Sequence, residues 1–164
     1  MISDFNAMFL AAHPEITKKM IKEARKKQRE NRAIVMSLKP KYAKAIYEGR
    51  KNWEFRKAPP PLFKPIYIYE SSPVSKITGC VTFSGSVTGV PFFVYAVAKT
   101  NKTYTKNLTG ISYDDLKEYA GDRLVTALRV DDAIRFDHDV EFNAKPPQNW
   151  GTFRAVRRHD KEGK

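Results

Sequence analysis

The sequence predicts an α+β fold: a small, mostly β barrel with short helical insertions and an added amphipathic helix at its N-terminus. Three observations predict it. Five or six runs rich in β-branched and aromatic residues recur between Ala33 and Phe142, each bounded by glycine, proline or serine. Three short stretches between them carry helix start or stop signals. Ahead of them all, residues 14–32 set an apolar stripe into a strongly basic stretch.

The chain has 164 residues and a formal net charge of +12. That length suits one domain with a real core and room for an appended element. Residues 1–32 read as a basic helical extension, 33–153 as the folded domain and 154–164 as a basic tail. The charge is concentrated at the ends. Residues 14–32 carry a net +5 and residues 154–164 a net +3, leaving +4 for the rest. Such an excess implies a polyanionic partner, with nucleic acid the first choice.

No apolar run is long enough to cross a membrane, so no membrane partner is expected. Asp4 stands where a secretory leader wants positive charge. Cys80 has no cysteine partner, and only three histidines are present. A disulfide framework, a metal cluster and a cofactor are therefore not expected, and the cytoplasm is the expected compartment.

In chain order, Ser3 caps a short helix through Leu10. His13-Pro14 interrupts it. Ile16, Met20, Ile21 and Ala24 then form the apolar side of the second helix. Lys18, Lys22, Arg25 and Lys26 stand on its basic side, suited to phosphates or to a protein partner. Ala33–Leu38 reads as a buried strand, ended by Lys39-Pro40. Pro40 starts a helix with Tyr42, Ala43, Ile46 and Tyr47 inward, and Gly49 stops it.

Residues 51–56 read as a strand. Alternation sets Lys51, Trp53 and Phe55 on one face, and Asn52, Glu54 and Arg56 on the other. Two aromatics and three charges in six residues are unusual for a plain core strand. The prolines from Pro59 to Pro61 make a stiff loop. In the strand 66–70 the isoleucines face one way and the tyrosines the other.

Ile77–Val90 reads as a strand bent at its glycines, with Val81 and Phe83 sharing a face. Pro91–Ala98 is a short helix. Ser112 caps another, with Asp114 and Asp115 in its first turn, ending near Gly121. Residues 123–130 form a strand that continues past a kink at Asp131-Asp132. Val140–Phe142 is a short strand, and Pro146–Gly151 a closing turn.

The octapeptide from Gly49 to Arg56 resembles the ASCH family of the PUA-like superfamily, whose signature is Gly-x-Lys-x-x-Glu-x-Arg. Gly49, Lys51, Glu54 and Arg56 match it without a departure. Met36–Pro40, Tyr42–Gly49, Tyr69–Val74 with Ile77–Gly79, Gly110–Tyr119 and Pro146–Trp150 are similar to that family in the same order. The resemblance implies a PUA-like pseudo-barrel with a cleft beside the signature. It also implies RNA binding, since relatives bind RNA and a few are enzymes. One branch hydrolyses N4-acetylcytidine with the signature lysine, but has a threonine where this chain has Glu54. A second acid for such chemistry is open among Glu70, Asp114, Asp115 and Glu118.

At the signature, Lys51 beside aromatics is either a low-pKa base or, held charged by Glu54, a ligand for phosphate or carbonyl. Lys51 and Glu54 are the candidate catalytic pair. Arg56 suits bidentate phosphate contact. Ser37 and Lys39 are expected to leave the first strand near the signature, and Ser71 and Ser72 to stand at the cleft rim. Trp53, Tyr67, Tyr69 and Trp150 are candidate stacking platforms. The two functions that follow are a nucleic-acid binding module and a small hydrolase acting on a modified nucleoside or a phosphodiester.

Overall fold

The computed structural model describes residues 32–100 and 109–154. The basic extension, with Lys18, Lys22, Arg25 and Lys26, lies outside the described residues, apart from Arg32, and so does the tail beyond Arg154. Residues Ile34–Thr152 form one compact unit.

The elements run β1 (Arg32–Leu38), α1 (Pro40–Tyr47), β2 (Trp53–Arg56), β3 (Ile66–Glu70) and β4 (Lys76–Gly89). They continue with α2 (Pro91–Thr100), α3 (Tyr113–Ala120), β5 (Val125–Val140) and β6 (Trp150–Arg154). The strands make one six-stranded sheet in the order β2-β5-β4-β3-β1-β6. β1 and β3 are parallel, while β2–β5, β3–β4 and β4–β5 are antiparallel. The fold is α+β, as the sequence predicts.

β2 and β6 are the two edges of this sheet, yet they are tied together. The Asn149 amide, just ahead of β6, donates to Ala58 O at 2.7 Å and accepts from Arg56 Nη1 at 2.8 Å. Trp150 Nε1 adds a bond to Ala58 O at 3.0 Å. Strands five steps apart meet only if the sheet curls, and β4 and β5 supply the curl. Their register slips at Thr82/Phe83 and Phe83/Gly85, leaving Asp131 and then Ser84 without an opposite number. Such bulges bend and twist long strands.

Two apolar clusters hold the curled sheet. Met36, Ile66, Ile68, Val81 and Phe83 form one beneath α1, which contributes Ala43 and Ile46. Trp53, Phe55, Val125 and Ala127 form the other with Val94 and Ala98 of α2 and Leu116 and Ala120 of α3. α3 starts where its sequence says it should: the Asp115 amide donates to Ser112 Oγ at 3.1 Å.

Three expectations are corrected. The strand expected over 51–56 begins only at Trp53, because the Arg50 and Lys51 amides both donate to Ala45 O and continue the turn after α1. Val140 closes the long β5, and Glu141 and Phe142 lie outside any strand. The closing turn ends at Asn149, and Trp150 opens a further edge strand.

Candidate functional site

The site grows from the four residues of β2. Trp53 and Phe55 face the helical cluster, so Glu54 and Arg56 point together toward β1. Glu54 Oε1 accepts from Arg56 Nε at 2.9 Å. Arg56 then uses its other nitrogens on Asn149 Oδ1 and on Ser37 O, at 2.8 and 2.7 Å. Its guanidinium thus spans three parts of the sheet.

Lys51 does not keep to the alternation read from the sequence. It precedes the strand, and its side chain turns back toward Glu54, with Nζ 3.3 Å from Glu54 Oε2. Nζ also donates to Trp53 O at 2.6 Å and to Thr109 O at 2.9 Å. Only 2% of Lys51 is exposed. Burial pulls its pKa below the ordinary lysine value, and the neighbouring Glu54 carboxylate opposes that pull.

The aliphatic stem of Lys51 is clamped by Gly110. A Cβ there would lie 2.7 Å from the Lys51 Cγ and Cδ atoms, and Gly110 has φ +67°. Both facts call for glycine at this position.

These residues floor a cavity of about 630 Å³. Leu38, Lys39, Lys41 and Tyr42 line it from the β1–α1 corner, and Ile111, Asp115, Glu118 and Tyr119 from α3 and the residues before it. Ser37, Ser71 and Gln148 complete the lining. Nζ of Lys51 lies over two of the lining rings, 5.2 Å from the Phe55 centroid and 5.5 Å from that of Tyr42.

The cavity therefore brings together Ser37, Lys39, Lys51, Glu54, Arg56 and Ser71 from the sequence reading. Ser72 is exposed and does not line it. Trp53 is a core residue, 3% exposed, away from the cavity lining. Its Nε1 has no hydrogen-bond partner among the described residues. Tyr67, Tyr69 and Trp150 are likewise not part of the lining. Of the four acids left open, Asp115 and Glu118 line the cavity, whereas Glu70 and Asp114 do not. Among the described residues, no group of three or more His, Cys, Asp or Glu is placed to hold a metal ion.

Sequence reasoning gave no role at the site to Thr109, Gly110, Tyr119 or Asn149. Gly110, Tyr119 and Asn149 fall inside stretches similar to the family, but nothing local marks them as neighbours of the signature residues or of the cavity.

A signature held in this geometry invites comparison with known proteins. The family model for the ASCH domain matches residues 36–127. The chain belongs to the ASCH domain family. Among solved structures it is similar to ASCH from Zymomonas mobilis, with 26% identity and a TM-score of 0.63. That match covers 74% of this chain and 87% of the other. A tyrosine-to-phenylalanine variant of the same protein matches with 26% identity and a TM-score of 0.62, over 74% of this chain and 90% of that one. A serine-to-alanine variant matches with 25% identity and a TM-score of 0.64, over 76% and 89%. Comparison with curated proteins gave no match. In this ASCH domain the signature residues Lys51, Glu54 and Arg56 are one buried ionic network, and the cavity is built on it.

Proposed function

We propose that this ASCH domain binds nucleic acid, taking an unstacked base or a modified nucleotide of RNA into the cavity above Lys51, Glu54 and Arg56. The observation that carries this reading is the state of Lys51. Its three N–H bonds have three acceptors within 3.3 Å: two carbonyl oxygens and the Glu54 carboxylate. Glu54 has both oxygens engaged, and Arg56 is bonded through all three of its nitrogens. A lysine in that setting is a charged, fixed element of the floor and not a free nucleophile.

The cavity size lies within the range that takes a small ligand. Rings of Tyr42, Phe55 and Tyr119 face a base with apolar surface, and Lys39 and Lys41 offer partners for phosphate. The charge outside the domain adds to this. The basic stretch 14–32 and the tail 154–164 carry most of the +12, as expected of a chain that holds a polyanion.

A second reading has one observation in its favour. Asp115 and Glu118 line the same cavity as Lys51 and Glu54, so carboxylates face a bound nucleoside and a hydrolase remains the alternative. Mass spectrometry of RNA and of a panel of modified nucleosides, incubated with the full chain, separates the two. Unaltered masses together with saturable RNA binding support the binding module. A mass change that disappears in a folded Lys51→Ala protein makes the chain an enzyme.

A further inference from the structure

Two aromatic residues of the cavity lining each carry an exposed lysine, and Tyr42 also has the buried Lys51 over its ring. Lys41 Nζ stands 4.8 Å from the ring centroid of Tyr42, on α1. Lys57 Nζ stands 4.9 Å from that of Tyr119, on α3. The second pair is also joined through the main chain, since the Lys57 amide donates to the Tyr119 hydroxyl at 3.3 Å. Tyr119 is 40% exposed although it lines the cavity. Lys41 and Lys57 are both exposed. Neither lysine has a carboxylate partner among the described ion pairs.

An exposed cation over a ring is held only weakly, by roughly 0.5–1 kcal/mol. Such a lysine gives up the ring face readily to a base and keeps its charge for a phosphate nearby. Asp115 and Glu118 add negative charge to the lining and disfavour phosphate inside the cavity. The ligand that satisfies all of this has an uncharged flat centre and carries its anionic groups outside the cavity.

We infer that Lys41–Tyr42 and Lys57–Tyr119 are paired jaws that grip one nucleotide of a single strand, the base against the tyrosine rings and its flanking phosphates on the two lysines. This inference rests on the proposed nucleic-acid binding and adds the strand's path across the cavity. It also excludes intact duplex as the preferred ligand, because a stacked and paired base cannot reach the rings.

The test uses the full chain and a short single-stranded RNA of mixed sequence, titrated over a range of salt concentrations. Lys41→Gln and Lys57→Gln are each expected to reduce the salt slope by about 0.7, and the double variant by about twice that. Tyr119→Leu is expected to weaken binding by roughly 5- to 150-fold, the loss of one stacked base, while Tyr119→Phe binds normally. An unchanged slope in the double lysine variant, with RNA still bound, overturns the jaws and leaves nucleic-acid binding standing. Normal affinity in Tyr119→Leu does the same. No binding by the unaltered chain even at low salt overturns both readings.

Discussion

Glu54 and Arg56 lie two residues apart on one face of β2, joined at 2.9 Å, with both side chains more than nine-tenths buried. Glu54 has Lys51 on its other oxygen, so a single carboxylate answers two buried cations. Removing it leaves both charges without their carboxylate in a poorly solvated place. Glu54→Ala is therefore expected to cost about 3–5 kcal/mol of unfolding free energy. Urea titration of the variant and the parent checks it. A midpoint unchanged within error contradicts the network.

Lys51 is expected to be the slow lysine. Its pKa is depressed by burial, which alone would speed reaction with amine reagents, but access and its three acceptors work the other way. Limited acetylation of the native chain, read by peptide mass spectrometry, should modify Lys39 and Lys41 well before Lys51. Preferential modification of Lys51 points to an activated amine and favours catalysis.

Two glycines with nearly the same backbone are expected to differ in their tolerance of alanine. Gly49, with φ +68°, has no atom within 4 Å of its absent Cβ, whereas Gly110, with φ +67°, has the Lys51 stem at 2.7 Å. Gly49→Ala carries only the left-handed backbone penalty, about 1–2 kcal/mol. Gly110→Ala adds overpacking of a further 1–3 kcal/mol, roughly, and displaces Lys51. Denaturation midpoints of the two variants measure the difference. Equal losses contradict the clamp.

Alkaline stability carries the mark of Tyr47. Burial raises its pKa to about 12 from an ordinary 10.0, while the hydrogen bond with Thr78 at 2.9 Å opposes that shift. Between those values the unfolded chain has lost the tyrosine proton and the folded chain still holds it. The unfolded state binds fewer protons there, so stability falls as pH rises from about 10 to 12. Tyr47→Phe is expected to flatten that part of the pH–stability curve. A slope the same as the parent's assigns the loss to other groups.

Much of the fold was legible because its signals are local. Pro40 and Gly49 mark the ends of α1's segment, Ser112 caps α3, and the Ile66/Ile68 alternation buries one face of β3. The signature at Gly49, Lys51, Glu54 and Arg56 was legible as a site for the same reason. Its internal arrangement was not. Period-two alternation grouped Lys51 with Trp53 and Phe55, but a lysine stem is long enough to turn back once the chain leaves the strand. Trp53 looked like a platform for a base, yet the side of β2 it faces is covered by α2 and α3, and no pattern within the octapeptide shows that. Asn149 and Gly110 act across more than fifty residues of sequence, through contacts that exist only after the sheet curls. β6 was missed because Trp150–Arg154 follows a proline-rich turn and is a short edge strand with little alternation of its own.

RNA binding in the cavity and RNA binding by the basic ends of the chain are told apart at Ser71. Ser71 lines the cavity, with its amide bonded to Leu38 O at 2.8 Å and its small side chain leaving room for a ligand. The most direct measurement is the affinity of the Ser71→Trp chain for a short single-stranded RNA, beside the parent and with folding verified by thermal unfolding. A loss of roughly tenfold or more, the equivalent of ~1.4 kcal/mol, is expected, because the indole occupies the place of the base. Undiminished affinity in a folded Ser71→Trp protein would mean that RNA is held elsewhere, and would contradict the cavity as its site.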